Sequence, residues 1–76
     1  MTRLPRVTGM EVVKALQRGG FIVLYVKGSH YHLRHRDDLS KRAVVPVHAG
    51  KVIKPEVLHT ILKGVGLSVE EFNKLL

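Results

Sequence analysis

Residues 21–36 read Phe21-Ile22-Val23-Leu24-Tyr25-Val26-Lys27-Gly28-Ser29-His30-Tyr31-His32-Leu33-Arg34-His35-Arg36, and this stretch decides the fold. Its first seven residues are β-branched, aromatic or aliphatic up to Lys27, and the run is too short for a typical helix, which predicts a strand over 21–27. Its near-continuous apolarity predicts burial of that strand on both faces. Gly28-Ser29 supplies a two-residue hairpin turn. From His30 to Arg36 the residues then alternate, with Tyr31 and Leu33 on one side and His30, His32, Arg34 and Arg36 on the other. Tyr31 and Leu33 belong inside, so the second strand sends two imidazoles and two guanidinium groups out of the opposite face.

Working outward, Asp37-Asp38-Leu39-Ser40 has the composition of a turn, and Ala43 to Val47 that of a third strand. Pro46 lacks the amide that a central strand needs, which predicts an edge. Upstream, Thr8-Gly9-Met10-Glu11 has the capping-box pattern and Val12, Val13 and Leu16 share one helical face, so a helix runs from about Thr8 to Arg18 and ends at Gly19-Gly20. Downstream, Lys54-Pro55 opens a second helix, Val57, Leu58, Ile61, Leu62 and Val65 form its apolar stripe, and Gly66 closes it. Ser68-Val69-Glu70-Glu71 repeats the capping box and starts a short C-terminal helix. The order helix, three strands, helix, short helix predicts an α+β fold, with an antiparallel meander covered by helices on one face and free to bind on the other.

At 76 residues the chain is too short for two independent cores, so residues 1–76 form a single domain. The hydrophobic content of 45% excludes a disordered chain, which needs low hydrophobicity. There is no cysteine, which removes disulfides, thiolate metal sites and thiol nucleophiles and fits a reducing cytoplasm. Residues 1–6 carry charge without a following apolar run, and no stretch approaches the roughly 20 apolar residues of a membrane span. The expectation is a cytoplasmic protein that does not contact a membrane.

Thirteen Lys and Arg against six Asp and Glu give a net charge of +7, which favours a polyanionic partner, with nucleic acid first. The charge is concentrated. Between Lys27 and Lys54 stand Lys27, Arg34, Arg36, Lys41, Arg42, Lys51 and Lys54 against only Asp37 and Asp38.

These residues suit RNA cleavage. RNA carries its own nucleophile, the 2′-hydroxyl, so a nuclease need only move protons and stabilise the charged phosphorane. Histidine suits the proton steps because both of its forms are available near neutral pH. His30 follows a turn, Gly28-Ser29, whose lack of bulk lets a phosphate approach, and it faces the same way as Arg34. Lys27, Arg34 and Lys51 are candidates to hold the phosphate, with His32 and Arg36 on the same face and His48 where the chain leaves the third strand. From the residues alone, a proton-transfer role and a plain turn or phosphate-binding role for His30 stand level. His35 is expected to point toward the helices or the sheet edge in a structural role, and His59 to be solvated. A histidine metal site is disfavoured by the neighbouring arginines, and a Ser29 nucleophile by the lack of a carboxylate to orient His30. No metal or cofactor is expected.

Several segments resemble one family in order along the chain: Leu4-Pro5-Arg6-Val7-Thr8-Gly9, then Gly28-Ser29-His30, then Val45-Pro46-Val47-His48 with Gly50-Lys51, then Lys54-Pro55 with Ile61-Leu62-Lys63, and last Gly66-Leu67-Ser68-Val69-Glu70-Glu71-Phe72. Together they resemble the HicA-type mRNA interferase toxins. The resemblance implies a fold like the double-stranded-RNA-binding domain, cleavage of mRNA, inhibition by a HicB-type antitoxin, and a functional histidine at His30. The chain departs from the family in strand one, where Ile22, Leu24, Tyr25 and Val26 are unusually apolar. That points to a partner or to a homo-oligomer through strand one. The alternative function is a noncatalytic RNA-binding module of the same fold.

Overall fold

The computed structural model describes residues 3–76; Met1 and Thr2, which the single-domain reading includes, lie outside them. The elements follow the order α1 (Gly9–Arg18), β1 (Phe21–Lys27), β2 (His30–His35), β3 (Arg42–Pro46), α2 (Pro55–Val65) and α3 (Val69–Leu75). The strands form one antiparallel meander in the order β1-β2-β3. The predicted α+β layer is therefore present, in the arrangement of a double-stranded-RNA-binding domain.

Local chemistry places the helix ends. Thr8 Oγ1 accepts from the Glu11 amide while Glu11 Oε1 accepts from the Thr8 amide at 2.8 Å, and Ser68 and Glu71 do the same at α3. Each such cap contributes about 1 kcal/mol. Helix α2 has no side-chain cap and begins instead on Pro55, whose missing amide is no loss in a first turn.

One sheet face carries Phe21, Leu33 and Val45, which are buried with Val12, Leu16, Leu58, Ile61, Val65 and Phe72. Helices α1 and α2 cover that face. Gly9 allows the close fit: a Cβ there would overlap the Pro46 carbonyl oxygen and crowd Val47. The segment before α1 is fastened as well, since Ile53 N–H donates to the Val7 carbonyl at 2.8 Å and Thr8 forms a bridge with Val52. Helix α3 closes over α1, where Arg18 Nη1 donates to the Leu75 carbonyl at 2.7 Å.

Two expectations need correction. Strand β1 is not buried on both faces. It is an edge strand, paired only with β2, and Ile22, Leu24, Tyr25 and Val26 are between 42% and 54% exposed. The continuous apolar run that implied a central strand instead serves an open surface. Second, β2 ends at His35, so Arg36 leaves the strand and pairs with Asp37 at 3.3 Å. The edge position expected for β3 holds.

Candidate nucleic-acid interface

The strand register sorts the uncovered face into three rows: Ile22, Arg34 and Arg42; then Tyr25, His32 and Val44; then Lys27, His30 and Pro46. None of the three strands contains an Asp or Glu. The face is thus cationic and apolar together. In the first row Arg34 and Arg42 are direct cross-strand partners, a like-charge pairing that costs stability unless an anion lies between them. No carboxylate relieves it: Arg42 donates to the Leu39 carbonyl from Nε and Nη2, and Arg34 Nε is buried without an acceptor.

The third row is the hairpin end. Gly28 has φ of 60°, the left-handed conformation that a tight hairpin turn requires. The space above it is open, since a Cβ there would meet nothing within 4 Å. The Ser29 carbonyl accepts from Val47 N–H at 2.7 Å, which ties this turn to the exit from β3. Just beyond, Lys51 N–H donates to the His48 carbonyl at 3.0 Å, so His48 and Lys51 bracket one tight turn beside Pro46. A depression of about 350 Å³ opens there, lined by His48, Lys51 and Lys54 with Pro46, Val52, Ile53 and Val57.

The fold therefore gathers Lys27, Gly28, Ser29, His30, His48 and Lys51 at one end of the sheet and sets His32 and Arg34 along the same face. Arg36 stands apart from them. His30 is exposed. His35 points to the helix side, edge-on to Phe21 with ring centroids 5.0 Å apart, and its Nδ1 accepts from the Asp37 amide. His59 is exposed on α2. Asp38 accepts from the Ser40 amide and hydroxyl, the turn role expected of it. Among the described residues no three His, Asp or Glu side chains converge as a metal-ligand set.

The strand alternation missed Tyr25 and Val44, and it left Arg42 unplaced. Tyr25 stacks on His32, with centroids 4.2 Å apart and planes 15° from parallel. A β-bulge between Val23 and Tyr25 explains the miss. Counting by twos from Phe21 sends Tyr25 inward, and the extra residue reverses the phase, which no feature of an uninterrupted apolar run announces.

The structure is a small α+β domain, a helix-covered sheet whose uncovered strands are basic, lack carboxylates and carry histidines, a surface whose charge suits a polyanion. Comparison with known families is more specific: the model of the HicA toxin of bacterial toxin–antitoxin systems matches residues 9–67. The chain belongs to the HicA toxin family, and membership implies an antitoxin partner. No individual curated protein matches it as a relative. Among the described residues no helix is long and apolar enough to cross a membrane.

Proposed function

We propose that the protein is a metal-independent endoribonuclease that acts on mRNA in the cytoplasm and is held inactive by a HicB-type antitoxin. The observation that carries this reading is the grouping of His30 with Lys27, the open Gly28-Ser29 turn, His48 and Lys51 at one end of a face without carboxylates. The 2′-hydroxyl attacks the adjacent phosphorus and the 5′-oxygen leaves, while His30 carries one of the two proton transfers. Lys27, Arg34 and Lys51 offset the charge that builds on the phosphorane. Gly28 and Ser29 admit the phosphate, and His32 and His48 bind flanking parts of the strand. An antitoxin that covers this face blocks RNA and masks His30 together.

The test is cleavage of a long single-stranded RNA in excess EDTA by the parent and by His30→Ala of verified fold. Cleavage by the parent alone supports the reading. Equal cleavage by both removes His30 from the chemistry. Tight, salt-sensitive RNA binding by both without cleavage establishes the noncatalytic RNA-binding module instead.

The exposed apolar residues of edge strand β1 favour a secondary reading, a homo-oligomer through β1. Sedimentation of the parent against Leu24→Lys tests it: a concentration-dependent mass that the substitution abolishes is the expected result.

A further inference from the structure

We propose that Tyr25, backed by His32, is a stacking platform for one unpaired base, so that the sheet face holds a single-stranded RNA and delivers its backbone to His30. This inference rests on the RNA-binding reading above and goes beyond it by naming the strandedness of the substrate and the residue that selects it.

Tyr25 lies in the middle row of the open face, between the row of Arg34 and Arg42 and the row of Lys27 and His30. Residues two apart along a strand are separated by about 7 Å, so a base on Tyr25 has cations on both sides of it to receive its flanking phosphates. One face of the phenol ring is covered by the His32 imidazole. The residue is nevertheless 54% exposed, which leaves the other face open. The Tyr25 hydroxyl has no hydrogen-bond partner among the described residues. Ile22 and Val44, on the same face, add exposed apolar surface that phosphates do not need and base edges use. A duplex hides its base faces within the stack and offers phosphates, 2′-hydroxyls and shape, whereas unpaired bases can lie flat on aromatic rings. A flat ring flanked by cations on a face without carboxylates matches the second case.

The chain has two tyrosines and no tryptophan, so in Tyr31→Phe the tyrosine emission comes from Tyr25 alone. That protein is titrated with a short single-stranded oligoribonucleotide, 2′-O-methylated so that it cannot be cleaved, and with the same sequence as a duplex. The single strand should quench the emission and the duplex should not. In parallel, Tyr25→Ala should weaken binding of a labelled single strand roughly five- to a hundredfold and leave duplex binding unchanged. Tyr25→Phe should retain affinity, while Tyr25→Leu, which keeps apolar bulk, should lose it. Parent-like affinity in Tyr25→Ala, or equal quenching by both RNA forms, overturns the platform. Quenching by an acidic polypeptide such as polyglutamate but not by RNA overturns it in favour of a protein-docking face. Because the probe cannot be cleaved, the outcome is separate from the nuclease assay. Cleavage by the parent with Tyr25 silent removes the platform alone, and stacking without cleavage by the parent removes the nuclease reading alone.

Discussion

Gly9 and Pro46 touch across the fold: the first residue of α1 lies against the carbonyl of Pro46, the residue paired with His30 on β2. Helix α1 therefore braces the strand segment that carries the candidate site. Gly9→Ala places a methyl group on that carbonyl oxygen, and overpacking of this kind costs about 1–3 kcal/mol. The expected result is a lower urea midpoint with an unchanged m-value. RNA cleavage should fall further than the unfolded fraction explains, because the displaced backbone is the register partner of His30.

Arg34 and Arg42 repel each other across β2 and β3. Arg34→Thr removes that repulsion and the buried, unpartnered Nε, and places a good strand former at the position. The variant should gain about 0.2–1 kcal/mol at low salt, and the gain should shrink as salt screens the pair in the parent. Its RNA affinity should fall, and the slope of log affinity against log salt should flatten by about one unit. Urea melts and binding isotherms at several salt concentrations check both statements.

Two carboxyls, one on exposed Glu71 and one on half-buried Asp38, make the fold sensitive to acid. The Ser68 amide and hydroxyl hold the Glu71 carboxyl below its ordinary value of 4.5, and the Ser40 hydroxyl and amide hold that of Asp38 below 3.8. The folded state thus favours their ionised forms. Their contribution is complete above the ordinary carboxylate range and is lost as pH falls through the depressed folded values. Thermal melts between pH 7 and pH 2 should show this loss, and Glu71→Gln, which keeps the capping geometry, should flatten part of it.

Phe72 is the fully buried anchor of α3. Phe72→Ala should cost about 3–5 kcal/mol, comparable with the whole net stability of a core this small. The variant is expected to be largely unfolded at 25 °C by circular dichroism.

The sequence made most of the fold legible because its signals were local. The capping boxes at Thr8 and Ser68, the Gly28-Ser29 turn and the alternation of His30 to Arg34 each depend on neighbours within a few positions. Pro46 marked its own strand as an edge through a missing donor. The site was legible where it followed β2, and less so where two strands had to be aligned. The Arg34–Arg42 pairing depends on the β2–β3 register, and the outward face of Tyr25 depends on one extra residue in β1. The exposure of β1 was hidden for a related reason, since an apolar run reads alike whether its cover is the protein core or a ligand.

The bond from Arg18 to the Leu75 carbonyl spans 57 positions, whereas β1, β2 and β3 pair only with strands adjacent in the chain. Contacts of short sequence separation carry little loop-closure entropy and form early, and distant ones form late. The two hairpins should therefore be built before α3 is drawn over α1, leaving that seam outside the folding nucleus. Stopped-flow kinetics of Arg18→Ala should then show unchanged refolding and faster unfolding. In kinetic terms the seam is a latch: it sets how long the molecule stays folded and has little influence on how quickly it folds.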